Sequence, residues 1–487
     1  MIVAAMPHAG AVLWTLLLER WSVATSVQLV MTLIYFAVAW FWLTATRPSR
    51  PITLHEAIIL VALSWVLVPL LSAIPVTLAI HVPLVDSWFE AVSGFTTTGL
   101  SVFSGQVDPA FHVYVPSVDE LPWSVQAWRA LTQWLGGFGV VVVFYAFARI
   151  AGLPAHLVGF AEGRLERLEP SIARSLRAFM WLYTVLTGID VVLLYAAGMP
   201  LNDAVYHAMT AISTGGFSDR GANIGYYHSF LIEAATVAAM ILGALNFADL
   251  YALFKGQQRE MSVEEKTFFA VWVPSVLIGL LLLMHSAPAA WSLFRRFREA
   301  FFDTASALTT TGFGIASLSH MSPSYKFLLT ILMFIGGSAF STAGGIKLYR
   351  LAVLGSTVKW SWARVIKGPH YITSHKVGSS NVDFEELARV IEVVFLFALL
   401  DVIGTMIILV TVPHATLADA AFEATSALCT TGLSVGITSA ATPLPAKLTL
   451  LALMDLGRLE IHVYIAAIAV AAAALRGRVR SRTTVIE

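Results

Sequence analysis

The stretch Phe89-Glu90-Ala91-Val92-Ser93-Gly94-Phe95-Thr96-Thr97-Thr98-Gly99-Leu100-Ser101 occurs four times in altered form. The later copies read YHAMTAISTGGFS from Tyr206, FDTASALTTTGFG from Phe302 and FEATSALCTTGLS from Phe422. Superposed, each opens on an aromatic residue, runs two turns of small and apolar residues, and ends in Thr/Ser/Cys-rich backbone. Gly99, Gly216, Gly312 and Gly432 fall in one column. Self-similarity at intervals of roughly 100–120 residues commits a chain to one unit used four times, and outranks any local signal. The unit reads as a short helix aimed at a glycine-kinked, hydroxyl-bearing strand. Four of them around an axis make a ring of backbone carbonyls able to replace an ion's hydration shell.

Composition decides the solvent. Of 487 residues, 57% are hydrophobic and 12% charged, against about 25% charged in soluble domains, so the chain is a polytopic membrane protein. Thirty basic and thirty acidic residues balance, and no basic, aromatic-interleaved patch suggests nucleic acid. The single cysteine, Cys429, excludes an internal disulfide framework and Cys-rich metal sites. It fills a threonine slot of the fourth copy as a small, weakly polar residue. No basic n-region or small-residue cleavage site opens the chain, so a removable signal peptide is not expected.

Taken in order, the apolar piece Ala11–Leu18 is too short to span, and Val23 to about Leu43 is long enough. A basic breaker follows at Arg47, Pro48, Arg50 and Pro51. Then one module recurs four times: a long apolar helix, the short copy, and a second long helix. The flanking helices are expected near Glu56–Ile80 and Val125–Ala148, then Leu176–Ala197 and Phe230–Phe254. The later two modules have Phe268–His285 and Phe327–Leu354, then Leu387–Val412 and Leu444–Leu475. The short copies enter and leave on one side, and irregular backbone at membrane depth is tolerated only inside protein or beside a watery cavity.

Loops opposite the copies carry Arg149, Arg164, Arg167, Arg174, Arg177, Lys255, Arg259 and Lys266. Farther on they carry Arg350, Lys359, Arg364, Lys367 and Lys376, and the tail adds Arg476, Arg478, Arg480 and Arg482. By the positive-inside rule that side is cytoplasmic and the copies open outward. Arg295, Arg296 and Arg298 dissent, as a minority signal near the outer headgroups. Acids lie near each copy (Asp86 and Glu90, Asp203, Glu299 and Asp303, Asp419 and Glu423), and are expected to cap and compensate the short helices.

These residues resemble the Trk/Ktr/HKT superfamily of potassium transporters, whose members carry four such modules with one glycine in each filter. Trp128-Arg129 with Thr132-Gln133-Trp134-Leu135-Gly136-Gly137-Phe138-Gly139 is similar to the family's first post-filter helix. Gly336-Gly337-Ser338 with Ser341-Thr342-Ala343-Gly344-Gly345-Ile346-Lys347 resembles its glycine-rich intramembrane loop, and Gly457-Arg458-Leu459-Glu460 its last pore-lining helix. The resemblance covers about Glu56 to Leu475, nearest to the bacterial Trk/Ktr membrane subunits.

The resemblance implies a potassium filter built by backbone carbonyls at Thr97-Thr98-Gly99, Thr214-Gly215-Gly216, Thr310-Thr311-Gly312 and Thr430-Thr431-Gly432. Gly99, where sodium-permeable plant members have serine, favours potassium, with rubidium as its congener. Gly336, Gly337, Gly344, Gly345 and Lys347 belong to an expected gate, in which Phe340 departs from the family's glycine. The family's electrostatic barrier falls on Arg458. Asp455 departs from an apolar position, and its i,i+3 spacing from Arg458 suggests a pair that softens the barrier. The resemblance further implies a homodimer with a pore in each protomer and a docked cytosolic ring of RCK-type nucleotide-binding subunits. The basic inner loops suit that partner or lipid headgroups.

The chain itself has no cofactor site. Gly312-Phe313-Gly314 lacks a βαβ unit, Gly344-Gly345-Ile346-Lys347 is not a Walker loop, and His55-Glu56 lacks the second histidine of a zinc motif. An intramembrane hydrolase needs a nucleophile partner that neither His207 nor His462 has. The expected architecture is therefore an all-α polytopic membrane protein of four pseudo-fourfold helix–pore helix–helix repeats around a central pore, in the manner of a potassium channel, and not an enzyme. Its parts are 1–53 (N-terminal helices), 54–150, 151–255, 256–367, and 368–487 with a basic cytoplasmic tail. The expected site is the plasma membrane of a bacterium; a sodium-permeable or proton- or sodium-coupled symporter is the alternative.

Overall fold

The structure is a computed structural model that describes residues 1–45, 53–150, 172–257, 260–288, 290–367, 375–378, 380–459 and 461–475. The breaker at Arg47–Pro51, the basic residues Arg164, Arg167 and Arg259, Glu460, and the tail arginines from Arg476 onward lie outside those residues.

Two helices precede the repeats. The first, α1 (Ile2–Leu17), extends the short apolar piece to 16 residues, roughly 24 Å at 1.5 Å per residue and still less than a span. It lies against protein: His8 Nε2 meets Ser72 O at 2.9 Å, and Ala4, Ala11 and Thr15 are buried. The second, α2, is Val23–Ala45.

Each repeat is a long helix, a short one and a second long one. The first has α3 (Leu54–Ile80), α4 (Leu84–Phe95) and α5 (Trp123–Ile150). The second has α6 (Ile172–Ala196), α7 (Leu201–Ile212), α8 (Phe230–Ala244) and α9 (Phe247–Phe254). In the third come α10 (Val263–Ser286), α11 (Leu293–Leu308), α12 (Pro323–Ile335) and α13 (Leu348–Lys367). The fourth has α14 (Phe384–Thr411), α15 (Leu417–Leu428), α16 (Leu444–Leu459) and α17 (Ile461–Leu475). Local chemistry starts them: Thr53 and Glu56 form a capping box on α3, as do Ser262 and Glu265 on α10. The short α4 and α7 begin directly after Pro83 and Pro200. Among the described residues, α2, α3, α6, α10 and α14 are long and apolar enough to cross a membrane, and counting the bent pairs α8–α9 and α16–α17 raises the number to seven.

Two second helices expected to be continuous are bent, α8–α9 by 103° and α16–α17 by 96°. At the first break Leu245 and Asn246 are extended and Asn246 caps α9 by accepting from Ala248 N at 2.9 Å. The carbonyl of Ala244 accepts instead from Ser338 N at 2.9 Å, a donor from another repeat. A tertiary hydrogen bond replaces the helical one, so no proline is needed. The second break follows Gly457 and Arg458, a weak helix former and a charge drawn sideways.

The repeats close into a ring. Each short helix packs on the second helix of its own repeat and on that of the preceding one: α7 on α5, α11 on α8, α15 on α12, and α4 on α16. The fourth residue of each second helix ties neighbouring repeats together. Lys326 reaches Asp419 at 2.7 Å, and Lys447 reaches Asp86 at 2.6 Å and also Asp108. At the second junction the polarity reverses, Glu233 accepting from Arg298 Nε at 2.8 Å. At the first, Gln126 Nε2 donates to Asp219 O at 3.4 Å. Arg298, part of the cluster that dissented from the charge rule, is thus an inter-repeat tie.

Lys447, Asp86 and Asp108 are all buried, and removing one partner of a buried pair costs about 3–5 kcal/mol. Lys447→Met is expected to lower the thermal unfolding temperature of detergent-solubilised protein by many degrees. Arg389→Met, which breaks an exposed pair with Glu385, should leave it nearly unchanged.

Candidate functional site

The four short helices end alike. Thr97, Thr214, Thr310 and Thr430 follow their last turns with φ of 53°, 49°, 51° and 48°. Their N–H groups bond to the carbonyls of Gly94, Ala211, Ala307 and Ala427. The N–H groups of Thr98, Gly215, Thr311 and Thr431 reach back to Ser93, Thr210, Ser306 and Ser426. This is the Schellman pattern, in which the left-handed position normally belongs to glycine. A β-branched residue there is an outlier; four in register form a shared device.

Two residues beyond these threonines, Gly99, Gly216, Gly312 and Gly432 have φ of 92°, 72°, 86° and 92°. A Cβ at Gly99 would fall well inside 3.0 Å of Gly215 O, at Gly216 of Thr311 O, at Gly312 of Thr431 O, and at Gly432 of Thr98 O. The order runs from the first repeat to the second, third and fourth and back to the first, so the four backbones make a closed ring. Eight of the twelve expected filter residues meet in it (Thr98, Gly99, Gly215, Gly216, Thr311, Gly312, Thr431 and Gly432), and the other four, Thr97, Thr214, Thr310 and Thr430, form the left-handed turns that lead into it. The carboxyl ends of α4, α7, α11 and α15 abut it, and helix C-termini carry partial negative charge that favours cations.

The acids divide into two groups. Only Asp86, Asp203 and Asp419 lie in a first turn, and each is met by a cation, Lys447, Arg220 and Lys326 respectively. Glu90 and Glu423 are not caps. They face the strand leaving the ring: Glu90 accepts from Ser101 Oγ at 2.9 Å and Val102 N at 3.3 Å. Glu423 accepts from Ser434 Oγ at 2.8 Å and Val435 N at 3.1 Å. Glu299 and Asp303 sit in the body of α11, with Asp303 accepting from Tyr325 Oη at 3.0 Å. Glu90 and Glu423 thus brace the polypeptide as it leaves the ring.

On the other side of the ring lies the segment between α12 and α13. Gly336, Phe340, Gly345 and Lys347 have φ of 75°, 55°, 73° and 75°, which no helix allows. Gly344 N donates to Thr310 Oγ1 at 2.7 Å, and Thr214 Oγ1 donates to Thr342 Oγ1 at 3.2 Å. A Cβ at Gly344 would strike Cys429 O and Thr430 Oγ1, and one at Gly337 would strike Ala343. The segment thus touches the threonine ring at three repeats. Phe340 is buried against Phe179, Phe247 and Tyr183, and Phe340 O accepts from Phe247 N at 3.1 Å. Glu264 joins both sides, accepting from Ala339 N at 2.7 Å and Asn246 Nδ2 at 3.2 Å.

Arg458 Nη1 donates to Thr342 O at 2.7 Å. The expected pair with Asp455 does not form: the guanidinium turns to the loop carbonyl, and Asp455 Oδ1 has no hydrogen-bond partner among the described residues. Spacing put both residues on one helix face but said nothing of a better acceptor from another repeat.

The motif residues Arg129 and Gln133 have specific tasks that residue type alone did not suggest. Arg129 donates from Nε to Glu90 at 2.6 Å and from Nη1 to Ser218 O at 2.7 Å. Gln133 Nε2 donates to Gly215 O at 2.6 Å, and Gln133 Oε1 accepts from Phe217 N at 3.0 Å. Aligning the second helices with one another exposes the signal, because Gly136, Gly243, Gly336 and Gly457 then share a column. A Cβ at Gly136, Gly243 or Gly457 would meet the carbonyl of Phe95, Ile212 or Leu428, the last residue of each repeat's own short helix.

The chain matches the family of cation transport proteins TrkH over residues 24–295 and 266–474. It is 27% identical over 432 residues to an uncharacterized cation transporter of Methanocaldococcus jannaschii, covering 88% of this chain and 85% of that one. It is 28% identical over 431 residues to the Trk system potassium uptake protein TrkH of Escherichia coli (strain K12), covering 86% of each. Among solved structures it resembles the potassium transporter TrkH of Vibrio parahaemolyticus, with a TM-score of 0.80, 26% identity and 95% of each chain covered.

Overpacking a tight contact costs ~1–3 kcal/mol, enough for about tenfold or more in a rate. Gly312→Ala and Gly99→Ser are each expected to cut potassium flux into proteoliposomes by at least that factor while the protein still elutes as a folded species. Gly355→Ala, at a glycine whose Cβ meets nothing within 4 Å, should leave flux intact.

Proposed function

The chain belongs to the TrkH family of cation transport proteins, a multi-pass membrane protein rather than an enzyme, and from that premise we propose that it takes up potassium through the closed ring. The observation that carries the reading is the cyclic contact of each ring glycine with the next repeat's carbonyl. A narrow passage lined by carbonyls from four sides can replace the hydration shell of a weakly hydrated cation. Thr97-Thr98-Gly99 and its three counterparts act as the filter. The hydroxyls of Thr97 and Thr430, buried without a protein partner among the described residues, add acceptors at its inner end. Potassium uptake by the related Trk proteins supports the choice of ion.

In this reading the Gly336–Lys347 segment gates the inner mouth, and Arg458 both holds it and repels cations there. Lys347 closes the segment's end by donating to Ala343 O at 2.5 Å. Phe340 anchors it to α6 and α9. The ring faces outward and the basic loops inward in a bacterial inner membrane, by the charge rule. Two copies associate as a homodimer, and a cytosolic RCK-type nucleotide-binding subunit regulates the gate from the inner face.

Flux into liposomes containing the purified chain tests the proposal. Potassium and rubidium should enter well ahead of sodium; sodium entering equally would replace it by the sodium-permeable alternative. Phe340→Gly is expected to raise basal potassium flux about tenfold. That is a shift of only ~1.4 kcal/mol out of the several that burying a phenylalanine contributes. Unchanged flux in that variant would remove Phe340 from the gate.

A further inference from the structure

One ring unit differs from the other three. Where Thr98, Thr311 and Thr431 precede the ring glycine, the second repeat has Gly215. In the first and third repeats that threonine is clasped by a neighbour of its own strand: Thr96 Oγ1 lies 2.8 Å from Thr98 Oγ1, and Thr309 Oγ1 lies 2.8 Å from Thr311 Oγ1. Gly215 has no side chain to clasp. Its missing Cβ would fall inside the carboxamide of Gln133, which holds Gly215 O and Phe217 N instead.

The chain's own repeats supply a control. In the alignment of second helices on Gly136, Gly243, Gly336 and Gly457, the position of Gln133 is taken by Met240, Met333 and Met454, all fully buried. The ring unit following each methionine helix in the cycle has threonine before its glycine. The one following the glutamine helix has glycine. Within one chain, three junctions use methionine with threonine and the fourth uses glutamine with glycine.

We infer that Gln133 is a positioning residue for cation discrimination, its carboxamide filling and bracing the second filter unit at the place where the other three units carry a threonine side chain. A backbone carbonyl has two lone pairs, so Gly215 O can accept from Gln133 and still face the axis. The amide fixes the direction of that carbonyl, and Phe217 N fixes the residue on the far side of Gly216. Gln133, fully buried, therefore braces Gly216 from both sides. The neighbouring turn extends the grip, since Arg129 holds Ser218 O from the same helix face.

The inference rests on the ring being a potassium filter, and one experiment separates the two. Potassium and sodium fluxes are measured in proteoliposomes for the wild type, Gln133→Met, Gly215→Thr and the double variant Q133M/G215T, which recreates the pairing of the other junctions. Gln133→Met should lower the potassium-to-sodium flux ratio about tenfold, the equivalent of one buried hydrogen bond. Gly215→Thr, which drives a side chain into the glutamine, should lower it too or fail to yield folded protein. The double variant should recover the wild-type ratio to within about threefold. A ratio unchanged in Gln133→Met, or no recovery in the double variant, would overturn the role of Gln133. A wild type that does not discriminate the two ions would instead overturn the filter reading.

Discussion

Everything in this fold answers to the approach of four glycine Cα positions to four carbonyl oxygens of neighbouring repeats. That approach leaves no room for a Cβ and demands positive φ at every glycine, so the ring tolerates one residue type in one column. Holding backbone so close inside a membrane requires the backbone polar groups around it to find partners. The Schellman turns satisfy the helix ends, Glu90 and Glu423 the outgoing strands, and Gln133 the one unit with no threonine before its ring glycine. The inter-repeat ties at Gln126, Glu233, Lys326 and Lys447 then hold the short helices at one radius.

The fourfold plan is old in geometry but unequal in chemistry. The same tie is a lysine to an aspartate twice, a glutamate to an arginine once, and an amide to a carbonyl once. The same column glycine lies in a continuous helix in α5, before a sharp bend after α8 and α16, and at the start of an irregular segment after α12. Where the third repeat abandons its helix, the second repeat bends to receive it, and Arg458 of the fourth reaches across to Thr342. That side of the ring is therefore asymmetric: the third repeat alone supplies the segment, which touches the threonines of the second, third and fourth repeats.

Much of this was legible in the chain because it repeats. Four glycines in register and eight long apolar stretches gave the ring, the short helices and the order of elements. The bends were not legible. No proline marks the break, and Asn246, a capping residue, becomes a signal only once the helix ends, which it does because Ser338, almost a hundred residues on, takes the carbonyl of Ala244. Three of the acids, Asp86, Asp203 and Asp419, do lie in first turns, and the others were misassigned for a related reason. Glu90 and Glu423 look like helix-start residues by spacing, but the short helices begin two turns earlier, and the partners at Val102 and Val435 are visible only once the strand turns back. Asp455 and Arg458 share a face, as their spacing says, yet the arginine's acceptor lies in another repeat.

The tie between the fourth repeat and the first has a bearing on biosynthesis. Lys447 and Asp86 are separated by 361 positions, and the ribosome reaches the lysine roughly 20–70 s after the aspartate, at ~5–20 residues per second. Through that interval Asp86 and Asp108 have no lysine, and burying them early is costly. The first short helix must therefore wait, hydrated or protonated, near the surface of the bilayer, and the passage can assemble only when the last quarter of the chain arrives. In a ribosome-bound fragment lacking that quarter the ring cannot close, because Thr431 and Gly432, which meet Gly312 and Thr98, have not yet been made.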